Sequence, residues 1–145
     1  MFHSLVAIAL AAAGPAGGQA PDRIAYSGFG NGWTGGRTTW SIDRTGRGHY
    51  ESTESGRQES GRFDAGAEGF ARVRSLLAPL EGLEEMPCDA GGITDQAMGG
   101  LSWERGREAR SLRLDFGCAH DNDADAWTRY GEASALIVEW ATQAR

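Results

Sequence analysis

The sequence predicts an α+β fold: an antiparallel sheet of about five or six strands with two helices packed on one face, in the order β-β-β(-β)-α-β-β-α. Three observations lead there. Short segments between residues 23 and 63, and again between 101 and 118, place apolar side chains at every second position. Two longer segments repeat them at helical spacing. Glycine is abundant, 22 of 145 residues, about twice the usual share, as a chain of short strands and tight turns requires.

The elements follow in order. "RIAYSG" (residues 23–28) alternates, with Ile24 and Tyr26 on one side. "RTTWSI" (37–42) turns Thr38, Trp40 and Ile42 one way and Arg37, Thr39 and Ser41 the other. "DRTGRG" is a hairpin turn that Asp43 opens and in which Gly46 takes a positive φ. "HYEST" follows, with Tyr50 on the side of Trp40 and Ile42. A turn at Ser55-Gly56 leads to a short strand ending at Phe63. In "AEGFARVRSLLAPL", Phe70, Val73, Leu76, Leu77 and Leu80 form a helical stripe. Asp64 or Glu68 suits its positive end, and Pro79 stops it near Ala78. "LSWERG" and "ARSLRLDFGC" are two further strands, Leu112, Leu114 and Phe116 alternating with Arg113 and Asp115. The last helix runs from about Asp123 to Gln143, with Trp127, Tyr130, Ser134, Ile137 and Ala141 in one stripe. Helices and strands with one apolar side each assemble most simply as a sheet with both helices on one face. Arg37, His49, Glu51, Glu104, Arg113 and Asp115 then line the wet face.

Bulk properties exclude several function classes. A net charge of -6 argues against nucleic acid or an anionic membrane surface as partner. All 14 basic residues are arginine. Without lysine there is no Schiff base, no phosphate-loop lysine and no kinase strand lysine. Arginine can clamp an anion but cannot act as a general base.

The first 20 residues are expected to be an export signal, and residues 21–145 one domain. An apolar run from Leu5 to Ala13, too short to span a bilayer, precedes small residues and then polar sequence. Cleavage after Ala13 or Ala16 fits the small-residue rule; cleavage after Ala20 sets Pro21 beside the cut. The expectation is a periplasmic or secreted monomer with no membrane span after processing. In such a compartment Cys88 and Cys118 form one disulfide.

The run "SG…GG…TWSIDRTGRGHY", then "GRFD" before a helix, then a strand ending "DFGC", resembles uncharacterised small exported bacterial α+β proteins. The resemblance spans about Arg23 to Cys118 and implies a fold and a compartment, with no activity.

Five constellations bear on chemistry. "GNGWTG" (30–35) matches the glycine spacing of a dinucleotide loop, but a strand follows where a helix must hold the pyrophosphate. It reads as a mobile loop, or as a partner-binding loop presenting Trp33 near Arg37. His49, on the wet face beside Glu51, lacks a nucleophile to activate. Glu104 and Asp115, on strands that can be neighbours, offer a carboxylate pair for a hydrolase; arginines around them favour a solvated ion-pair surface. The loop with Asp89 and Asp95 reads as a pinned irregular segment. Finally, "DNDADAWTRYGE" puts Asp121, Asp123, Asp125 and Glu132 at positions 1, 3, 5 and 12 of a calcium loop. Ala126 stands where that loop needs glycine, and acidic residues also gather where they cap a helix. The favoured reading is a non-catalytic binding domain with no cofactor, an adaptor or inhibitor-like protein whose partner is another envelope protein. The surface for it comprises Trp33, Arg37, His49, Glu51, Glu104, Arg113 and Asp115. A hydrolase on the wet face and a calcium-stabilised module are the alternatives.

Overall fold

The computed structural model describes residues 18–30, 35–88, 97–117 and 124–145. Four strands come first: β1 Arg23–Phe29, β2 Arg37–Asp43, β3 Arg47–Glu54 and β4 Arg57–Asp64. Helix α1 (Gly66–Leu77) follows, with a short 3-10 turn at Ala78–Leu80. Strands β5 (Met98–Arg105) and β6 (Glu108–Asp115) and helix α2 (Ala124–Gln143) complete the chain. The fold is the expected α+β arrangement. The six strands form one sheet in the order β4-β3-β2-β1-β5-β6, with every neighbouring pair antiparallel.

Turn chemistry sets the hairpins. Asp43 Oδ1 accepts from the Thr45 N–H at 2.8 Å and the Thr45 hydroxyl at 2.6 Å, and Gly46 has φ 90°. Ser55 (φ 49°) and Gly56 (φ 77°) both take positive φ, the backbone that matches strand twist in a two-residue hairpin. Asp64 Oδ1 accepts the Gly66 N–H at the start of α1. Pro79 lies just beyond α1, which ends at Leu77. Strand β5 begins at Met98, three residues earlier than the alternation of "LSWERG" indicates, because two glycines there carry no pattern. Strand β6 stops at Asp115, so Phe116 and Gly117 lie beyond it.

Register aligns the apolar side chains into rows across the inner face. One row runs Tyr50, Trp40, Tyr26, Leu101, Leu112; the next runs Ile42, Ile24, Trp103. Both rows are buried beneath Phe70, Val73 and Leu77 of α1 and Ala133, Ile137 and Ala141 of α2. Helix α2 packs on α1, β3 and β4. Glycines make room where side chains or backbone cross the sheet. A Cβ on Gly48 would lie 2.0 Å from the Phe63 ring, and one on Gly61 would lie 2.9 Å from the Ala141 carbonyl oxygen.

The two edges are closed differently. The free side of β6 pairs with the segment before Cys88: Met86 N–H donates to the Arg113 carbonyl, and Arg113 N–H donates to that of Glu84. The β4 edge carries the alternating charges Arg57, Glu59, Arg62 and Asp64, a pattern that discourages pairing with another sheet.

Candidate functional site: an aromatic cleft under the last helix

The third inner-face row explains where the molecule is hollow. It runs Ser52, Thr38, Gly28, Gly99 and then Leu114, so from β3 to β5 it holds no large apolar side chain. Opposite it, α2 presents Ser134 and Val138. Layers spaced for Leu and Trp therefore leave a gap where they are lined by Ser, Thr and Gly. The result is a cleft of about 320 Å³.

Its walls are aromatic. Trp40 stacks on Tyr26 with centroids 5.8 Å apart and planes at 29°. Tyr26 meets Tyr130 at 5.5 Å, and Tyr130 meets Phe116 at 5.8 Å. Tyr50 completes the lining. Tyr26 can lie along its strand because Gly28 and Gly99 have no side chains; a Cβ on Gly28 would lie 1.9 Å from its hydroxyl oxygen. Thr38 and Ser52 share a hydroxyl–hydroxyl hydrogen bond of 3.0 Å. Arg37, Glu54 and the exposed Phe29 form the rim, with the Arg37 guanidinium 5.4 Å from the Phe29 ring centre.

The two phenols of this cleft are neutral. Burial pushes the Tyr130 phenol far above its ordinary value, and the adjoining Tyr26 phenol adds to the shift. Burial also raises Tyr26, with the Tyr130 hydrogen bond acting the other way. Both phenols therefore stay protonated at neutral pH. Trp40 Nε1 is sealed from solvent and has no hydrogen-bond partner among the described residues.

The residues expected on the wet face all lie there, but dispersed. Arg37, His49, Glu51, Glu104, Arg113 and Asp115 occupy outer positions of the register. Glu104 pairs with Ala109 and Asp115 with Met98, at opposite ends of the same ladder. Six residues of strand separate them by about 20 Å, too far for two carboxylates to act on one glycosidic bond. Glu104 is instead 3.6 Å from Arg23, and Arg113 is 2.6 Å from Glu85. His49 sits opposite Ser41 and Arg62, away from Arg37. Of this set only Arg37 reaches the cleft.

Asp125 and Glu132 both lie within α2. Seven residues of helix set them about 10 Å apart along the axis, whereas positions 5 and 12 of a calcium loop converge on one ion. Asp125 is bound 2.8 Å from Arg129 one turn on. From Asp125 onward the calcium-loop template is thus replaced by helix. Asp121 and Asp123 lie outside the described residues, as do Trp33, Asp89, Asp95 and Cys118. Among the described residues there is no group of three metal-ligating side chains and no free cysteine.

Sequence reasoning placed Tyr26, Trp40, Tyr50 and Tyr130 in the core and did not see the cleft. The missing signal was the coincidence of Ser52, Thr38, Gly28 and Gly99 in one row, which needs the strand order. Among the described residues no helix is long and apolar enough to cross a membrane. No family model and no curated protein matches the chain.

Proposed function

We propose that this chain is a small exported binding domain with no catalytic chemistry of its own, and that its working site is the aromatic cleft between α2 and the sheet. One observation carries the reading: a gap of about 320 Å³ between α2 and the sheet is walled by the rings of Tyr26, Trp40, Tyr50, Phe116 and Tyr130. A small-molecule site has this character, mostly apolar with a few placed polar groups. A hydrolase is disfavoured because the candidate acid and base groups of the outer face are spread across the sheet. The outer face, with Phe29 and Met98 paired across β1 and β5 and 59% and 45% exposed, is the surface proposed for a partner envelope protein.

A thermal-shift screen of aromatic fragments tests the cleft. Compounds that stabilise the wild type at millimolar concentration should lose their effect in Val138→Phe, which places a ring at the half-exposed mouth. Stabilisation that is equal in the variant, or absent for every fragment, would overturn the reading.

A further inference from the structure

We infer, given that the cleft is the working site, that it takes a single-chain amphiphile with an anionic head. A flexible alkyl chain lies between α2 and the sheet, and a carboxylate sits at the rim against Arg37.

The inside of the cleft and its rim differ in chemistry. Among the described residues that line it, only Arg37 and Glu54 are charged, and both stand at the rim. The interior offers the hydroxyls of Thr38 and Ser52, already bonded to each other, and the two protonated phenols of Tyr26 and Tyr130, also bonded to each other. An ionised group drawn inside would lose its water and meet no opposite charge. The buried part of the guest is therefore neutral and apolar. The rings shape it further. Tyr130 is tilted 52° from Tyr26 and 55° from Phe116, while Tyr26 and Trp40 stack on one another. Such walls form no parallel slot for a flat guest; a flexible chain can follow them. Phe29 and Val138, both exposed, continue the apolar path to the mouth.

The rim selects the head. Arg37 lies opposite Phe29 and Thr53 in the sheet, neither of them charged. Its guanidinium is 5.4 Å from the Phe29 ring centre, which holds the cation at the apolar lip. Among the described residues no carboxylate pairs with it. Glu51, diagonal to it on the outer face, accepts the Gln58 side-chain amide at 3.4 Å. Glu54, by contrast, faces Arg57 directly across the β3–β4 hairpin, so a cation already offsets it. The uncompensated charge at the mouth is thus positive, and its planar fork matches a carboxylate.

Octanoate titrated into ¹⁵N-labelled protein tests this. The Gly28 and Gly36 amide resonances, both from the cleft, should shift saturably, and that of Gly106 in the β5–β6 turn should not. Arg37→Gln should weaken octanoate about three-fold or more, the size of an exposed ion pair, and leave 1-octanol unchanged; Arg37→Lys should restore most of the loss. Butanoate, with the same head and a shorter chain, should bind about ten-fold or more weakly. Val138→Phe should weaken octanoate and 1-octanol alike. Octanoate binding indifferent to Arg37, butanoate binding as tight as octanoate, or octylammonium binding tighter than octanoate would overturn the assignment. If octanoate fails while aromatic fragments still stabilise in a Val138-dependent way, the cleft stands as the site and the amphiphile falls. If nothing binds, both fall.

Discussion

At the scale of single residues, absent side chains shape this molecule as much as present ones. Gly48 sits on the inner face where the Phe63 ring crosses, and its missing Cβ would also lie 2.5 Å from the Ser41 carbonyl oxygen. Backbone on one side and a ring held by Trp140 on the other leave little room to yield. Gly48→Ala should therefore destabilise the fold by about 1–3 kcal/mol, as overpacking does. Urea denaturation measures it, and an unchanged midpoint would mean that the Phe63 ring moves freely. Gly28 and Gly99 play the related role for Tyr26, and their lack of side chains is what opens the cleft. The sequence marks such positions as glycine but not what passes over them.

At the scale of elements, local chemistry settled the hairpins and helix ends. The β2–β3 turn gives a test. Slight desolvation acts to raise Asp43, but the Thr45 hydroxyl, the Thr45 N–H and the Arg47 N–H outweigh it and hold its carboxyl below the ordinary value. A depressed folded-state pKa stabilises the fold above the unfolded value, and that stability is lost as pH falls through the folded one. Asp43→Ala should cost about 1 kcal/mol at neutral pH, the size of a typical hydrogen bond. The gap between variant and wild type should close below about pH 4. Urea midpoints between neutral and acid pH would reveal it; a gap that persists in acid would assign the effect to packing. The elements were legible because period-two and helical spacing are local signals. The start of β5 at Met98 was not, because Gly99 and Gly100 are silent in any periodicity.

At the scale of the whole molecule, the segment ending at Cys88 ties β6 to α2. Pro87 and Cys88 follow the segment that lies along β6, and Trp127 of α2 donates to the Pro87 carbonyl at 3.4 Å. This contact brings the Cys88 segment to the first turns of α2, just past the position of Cys118 in sequence. The proposed Cys88–Cys118 bridge would close a loop of roughly 30 residues and contribute roughly 3–4 kcal/mol in the chain-entropy model. Thiol titration of the purified protein should find no reactive thiol without reductant, and reduction should lower the melting temperature. Two free thiols in the oxidised protein would remove the bridge and count against the proposed export.

What the sequence determined by itself was the set of elements, their inward and outward faces, and the lack of lysine chemistry. Each of these follows from residues within one turn or one strand of each other. Tertiary structure alone decided the order β4-β3-β2-β1-β5-β6, and with it everything that depends on neighbours distant in sequence. It moved Glu104 and Asp115 to opposite ends of a ladder, and it aligned Ser52, Thr38, Gly28 and Gly99 into a row too small to fill the space under α2. The physical reason is that a strand's pattern states which side chains point inward but not which strand lies beside it. A cleft is made by the sum of side-chain volumes across several strands, and that sum exists only once the register does.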